Sequence, residues 1–213
     1  MKNILGYKIS NAYFLPYKMV INKNIMDAFD KNEPIIATSR IYLICKIPKK
    51  MWWGYGEPEI LYVGETFNKK DRFSGHQKLL EATTLLNSKD TLGVYFLQIR
   101  CLSCSFPILR KNPQDILKDL SDINSSTSIR LIERLFIYLF NPPLNTNHTS
   151  FPIFQDKLVE ELLKANEIRY LHIDIGMTGK GFQFWSKSVL PRTDFYYYDL
   201  VEKTINRGIP QLF

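Results

Sequence analysis

The run Arg40–Ile47, RIYLICKI, alternates strictly enough to fix one element. Ile41, Leu43, Cys45 and Ile47 fall on one side of an extended chain, and Tyr42, Ile44 and Lys46 on the other. Only a β-strand turns that period of two into one apolar face and one mixed face. A second short strand, Ile60–Val63, ends at Gly64, and a third, Thr91–Cys101, sets Tyr95 and Leu97 opposite Val94 and Phe96. Between them, residues 71–86 read as a helix with Asn68 as a candidate cap. A stronger helix, Ser128–Leu139, is stopped by Pro142–Pro143. The order strand, strand, helix, strand, helix predicts an α+β domain: a small three-stranded antiparallel sheet flanked by helices.

That core spans residues 38–147. Residues 1–37 read as an N-terminal elaboration with a short helix near 23–30. Residues 148–213 read as a C-terminal extension packed on the core and a candidate for DNA recognition, with a helix near 155–166, a strand near 169–175 and the aromatic segment FYYYDL. A length of 213 residues suits one domain with such additions. No apolar run reaches the roughly 18 residues a membrane span needs, and the N-terminus has no apolar h-region or small-residue cleavage site. The expected location is the cytoplasm. Three cysteines make no disulfide framework, and the lone CxxC of Cys101 and Cys104 reads as ordinary thiols. The chain carries 28 Lys and Arg against 21 Asp and Glu, a net charge of +7, and residues 148–213 are charge-balanced. The whole excess sits in the first 147 residues, which suits a polyanion partner.

Several residues carry chemistry. Tyr42 and Tyr62 share a face if their strands pair. Arg72 and His76 are four apart, so a helix there puts them on one side. Glu133 has Ile129 and Phe136 on its flank, and a carboxylate in apolar company needs a metal, an arginine or a catalytic role. Asn145 follows the proline pair. This set suits phosphodiester hydrolysis. Glu133 offers a hard oxygen to a divalent cation, and Arg72 offers a fork to phosphate oxygens. Tyr42, His76 or metal-bound hydroxide can take a proton from water. Each residue also has a plainer role: strand tyrosines pack, Arg72 faces solvent, and Glu133 pairs with Arg130 or Arg134. The loop PKKMWWGYGEPE sets Trp52, Trp53 and Tyr55 beside Lys49 and Lys50. Its aromatics either fold back on the core or touch a ligand.

The order and spacing of these residues resemble the GIY-YIG nuclease superfamily. The first signature stands as Arg40-Ile41-Tyr42 and the second as Tyr62-Val63-Gly64. Arg72 follows Tyr62 by ten residues, His76 follows by four more, and Glu133 precedes Asn145 by twelve with Pro142 between. The resemblance implies a three-stranded antiparallel sheet with helices, and cleavage of nucleic-acid phosphodiesters with one divalent metal, Mg²⁺ or Mn²⁺ in its place. It implies Tyr42, Tyr62, Arg72, His76, Glu133 and Asn145 as the catalytic set. Within that set Glu133 is the metal ligand, Arg72 meets the scissile phosphate, and Tyr42 is the base or orients the water. Tyr62 and His76 support them, Asn145 braces the site, and Gly64 permits close approach. Two departures stand out. Arg40 occupies a position the signature gives to glycine, and the Tyr42–Tyr62 gap is lengthened by the aromatic loop. Restriction-type members insert recognition loops into this core, so Arg40, Lys49, Lys50, Trp52, Trp53, Lys69 and Lys70 are candidate DNA contacts. The expected function is a Mg²⁺-dependent endonuclease on double-stranded DNA, of restriction or defence type. The alternatives are a homing or mobile-element nuclease, or a non-catalytic nucleic-acid-binding protein on the same core. A palindromic target would favour a homodimer.

Overall fold

Leu5, Tyr7 and Ile9 open the chain with the same period of two as RIYLICKI, and they too are buried in a strand, β1 (Asn3–Pro16). The structure is a computed structural model describing residues 3–17, 39–50, 54–65, 76–102, 122, 125–146, 160, 163–164, 167–177, 183–189 and 193–210. β2 (Ile41–Lys50) pairs antiparallel with β4 (Glu59–Glu65) on one edge and with β5 (Asp90–Leu102) on the other. The two-residue β3 (Gly54–Tyr55) pairs with Lys49 and Lys50 at the far end of β2. Beyond β5 the sheet continues. β1 pairs antiparallel with β5 and parallel with β6 (Ile168–Asp174), followed by β7 (Phe195–Asp199) and β8 (Thr204–Arg207), both antiparallel.

This overturns the expected fold. β4, β2 and β5 are antiparallel neighbours, but they belong to one mixed sheet of eight strands. The described residues are mostly β and hold two helices, α1 (Gln77–Thr83) and α2 (Ser126–Phe140). The N- and C-terminal regions supply four strands of that sheet rather than decorating a three-stranded one. The reason β1 escapes a periodicity search lies at Ser10. The register with β5 slips between Ile9 and Asn11, so one extra residue bulges. Before it, Leu5, Tyr7 and Ile9 face the larger core cluster; after it, Ala12 and Phe14 do. The apolar phase switches from odd to even, and neither half reads as a full strand. The expected helix near 23–30 lies outside the described residues, as does most of the one near 155–166.

Each helix covers one face. Leu79 and Ala82 of α1 pack with Tyr42, Ile44, Leu61, Val94 and Phe96. Ile129, Ile132, Leu135 and Phe136 of α2 pack with Leu43, Cys45, Ile60 and Val63 on the other face. β5 is therefore buried continuously from Leu92 to Leu97, which explains its near-unbroken apolar sequence. Ser125 caps α2, its Oγ accepting from Ser128 N–H at 3.1 Å, and Asn141 ends it in the left-handed region at φ 44°. No helix among the described residues is long and apolar enough to cross a membrane.

One buried group on β6 makes stability depend on pH. His172 is 8% exposed and stacks on Phe195 at 5.9 Å between ring centroids. Burial holds its imidazole below the ordinary range, opposed by the neighbouring Asp174, which itself pairs with Lys8 at 2.9 Å. The unfolded chain therefore takes up this proton near pH ~6.5, before the folded chain does. The stability His172 contributes is complete above that pH and is lost as pH falls below it. Thermal melts from about pH 8 to about pH 5 should show a falling midpoint, less so in His172→Gln. Identical pH profiles for the two proteins would reject His172 as the source.

Candidate active site

Strand alternation and pairing bring two tyrosines together. Tyr42 on β2 lies directly across from Gly64 on β4, and Tyr62 lies two residues before it on the same face. Tyr42 is fully buried. Its ring centroid is 6.0 Å from that of Tyr62. Gly64 is required by contact rather than by a turn. A Cβ there would lie 2.5 Å from both Cζ and Oη of Tyr42 and 2.7 Å from Cε1 of Tyr62. Gly64→Ala should therefore destabilise the fold by about 1–3 kcal/mol through overpacking, and it should push Tyr42 Oη from its place. A chemical-denaturation midpoint equal to wild type would contradict this.

The third member comes from α1. His76 is not inside the helix, as the expected span of 71–86 had it, but is its N-cap. Its Nδ1 accepts from Leu79 N–H at 3.4 Å, and its Nε2 stands 2.7 Å from Tyr42 Oη. A neutral imidazole has one N–H and one lone pair. With Nδ1 accepting, a neutral ring would carry its proton on Nε2 and donate it to Tyr42 Oη. The His76 ring meets both tyrosines edge-on, with centroids 5.9 Å from each. The capping role thus sets the place of the imidazole. Sequence spacing points to His76, but not for this reason, since imidazole is not among the usual caps.

Asn145 supports the corner from the edge of β4. The chain leaving α2 wraps that edge, with Leu144 N–H donating to Leu61 O at 3.0 Å. The Asn145 side chain accepts from Val63 N–H and donates to Val63 O, both at 2.8 Å. It thereby replaces a missing neighbour strand for the residue just before Gly64. Asn145 is 5% exposed, so Asn145→Ala would strip two buried backbone groups of their partner, costing about 1–3 kcal/mol for each. Urea denaturation checks this, and a change below half a unit on that scale would show that water replaces the amide.

Glu133 stands half-buried on α2, the helix packed against β4 from the opposite face to α1. It lies beside Arg134, whose guanidinium is lowered by burial while Glu133 pulls it back up. By strand alternation Glu65, also half-buried, faces the same side of β4 as Val63, and sequence reasoning passed over it. Among the described residues no three or more His, Cys, Asp or Glu side chains gather as a metal site. A lone carboxylate still fits Mg²⁺, which accepts one or two protein oxygens when phosphate and water complete its shell.

The remaining expected residues are spread. Arg40 is half-buried just before β2, and Lys49 is exposed on β2 near its junction with β3. Lys50 is in β2, with its side chain outside the description. Arg72, Trp52, Trp53, Lys69 and Lys70 lie outside the described residues. The structure therefore brings together Tyr42, Tyr62, His76 and, through Val63, Asn145, and leaves Glu133 on the other face of the sheet with α2. No family model, curated protein or solved structure matches the chain.

Proposed function

We propose that the chain is a divalent-metal-dependent endonuclease of GIY-YIG type that hydrolyses phosphodiester bonds in double-stranded DNA. The observation that carries this is the 2.7 Å hydrogen bond between Tyr42 Oη and His76 Nε2 above a glycine that both tyrosine rings require. A donor aimed at Oη steadies that oxygen when it bears negative charge, as a base taking a proton from water must. His76 spends its lone pair on the cap of α1, so Tyr42 is the base and His76 its positioning partner. Tyr62 walls the corner, and Asn145 holds the strand that carries it. Glu133, on the α2 face of the sheet and not on the Tyr42–His76 face, is assigned to Mg²⁺ by its place in the sequence pattern alone; a bound Mg²⁺ would supply charge stabilisation to the phosphate. Arg72 is assigned to the same phosphate oxygens by its place in the sequence pattern. A chain net charge of +7 favours binding to DNA. A restriction or defence enzyme is the subtype put forward.

Incubation with plasmid and Mg²⁺, beside an EDTA control, tests this. Metal-dependent discrete fragments are expected. A smear would keep the nuclease and reject sequence specificity. Intact plasmid across Mg²⁺ and Mn²⁺ would reject the nuclease.

A further inference from the structure

The outer edge of β4 is covered by two segments from distant parts of the chain. Trp185 N–H donates to Pro58 O at 3.1 Å, and Trp185 O accepts from Ile60 N–H at 2.9 Å. Further along, Leu144 and Asn145 bond to Leu61 and Val63. Where the two covers meet they leave a cavity of about 650 Å³. That is within the usual range of small-molecule sites, about 300–1,000 Å³.

Its chemistry is divided. Leu61, Pro142 and Pro143 line it with apolar surface suited to the face of a flat ring. Thr146 adds a polar residue to its wall, while the Ser186 Oγ is held by its own turn, accepting from Ser188 N–H and Val189 N–H at 3.2 Å. Lys46 is paired to Glu59 at 2.6 Å, so exposed Lys187 at the wall gives the lining its net positive charge. A ligand with a planar ring and an attached anion satisfies all three features; a neutral or purely apolar one does not. The cavity also has an orientation. Tyr42, Ile44 and Lys46 alternate onto one face of β2, so Lys46 lies on the Tyr42 side of the sheet, about 13 Å along the strand at ~3.3 Å per residue. Asn145 borders the cavity on one side and braces Val63 on the other.

We propose that this cavity binds a nucleotide, with the ring against Leu61 and the two prolines and the phosphate at Lys187. Its assignment to a strand of the substrate rests on the nuclease reading; nucleotide binding itself does not. Calorimetric titration of the full chain in EDTA tests it with adenosine 5′-monophosphate, adenosine, inorganic phosphate and a short phosphorothioate strand. The monophosphate should bind saturably, and adenosine or phosphate alone at least about tenfold more weakly. Lys187→Glu and Leu85→Trp, at exposed positions of the lining, should each weaken the monophosphate by about tenfold or more without moving the melting midpoint. If the tryptophan variant fails to fold, the Lys187 variant decides. Tighter binding of the strand than of the monophosphate assigns the cavity to a nucleic acid; equal binding assigns it to a free nucleotide. No binding at millimolar monophosphate, or binding that ignores both substitutions, overturns the proposal. Plasmid cleavage without nucleotide binding would remove the cavity and leave the nuclease; nucleotide binding without cleavage would do the reverse.

Discussion

Tyr42→Phe is expected to slow DNA cleavage by about 10²–10⁴ in single turnover while leaving the fold intact. The substitution removes one oxygen and keeps the ring. That ring is fully buried between Tyr62, Phe96 and His76, so the packing on this face of β2 survives. The hydroxyl also hydrogen-bonds His76 Nε2 at 2.7 Å, so its loss removes that partner from a partly buried imidazole nitrogen. The stability cost of one such bond is about 0.5–1.5 kcal/mol. The rate loss should exceed this by far, since it comes from the proton transfer and not from the fold. His76→Asn separates the two roles further. Asn is a good N-cap and should hold α1, yet it cannot reproduce the imidazole's reach to Tyr42. Its rate should fall less than that of Tyr42→Phe, and its pH–rate profile should shift. An unchanged rate for Tyr42→Phe from about pH 6 to about pH 9 would move the base elsewhere.

How much of this was legible in the sequence depends on how local each cause is. Tyr42 and Tyr62 could be placed side by side, because period two in RIYLICKI and the glycine after LYV fix which face each ring takes. The antiparallel trio around β2 follows from the same pattern. The larger sheet does not, because β1 hides behind the bulge at Ser10 and its partner β6 is parallel and distant in sequence. No local signal announces a pairing of that kind. His76 was legible as a candidate but not as a cap, since the start of α1 is set by the imidazole itself. The cover that Trp185 gives to the edge of β4 joins residues 128 apart through its indole N–H to Glu57 O at 3.0 Å. Charge and periodicity say nothing about such a contact. Asn145 lay between these cases. Its position after two prolines marked it, while its two bonds to Val63 needed the fold.

Glu133→Gln is expected to lower Mg²⁺-dependent cleavage by roughly 10³-fold or more, the several kcal/mol a bound metal gives to phosphate charge in the transition state. Gln keeps the volume and one carbonyl oxygen, so α2 should still present Ile129, Ile132 and Phe136 to the core. It loses the negative charge that draws a hard cation. DNA binding should survive or tighten, because phosphate contacts dominate affinity and a nearby anion has been removed. The structure supplies a rival role in Arg134, whose guanidinium feels Glu133 while burial depresses it. If Glu133 serves that arginine alone, the substitution should change stability by only about 0–1 kcal/mol, as for a partly exposed pair. Metal dependence and cleavage rate would then stay near wild type. Cleavage in Mg²⁺ and binding in Ca²⁺ read the two roles separately. Glu65 gives the internal control, since it faces the same side of β4 as Val63 without matching the sequence pattern. Appreciable cleavage by Glu133→Gln, with loss instead in Glu65→Gln, would transfer the metal to β4.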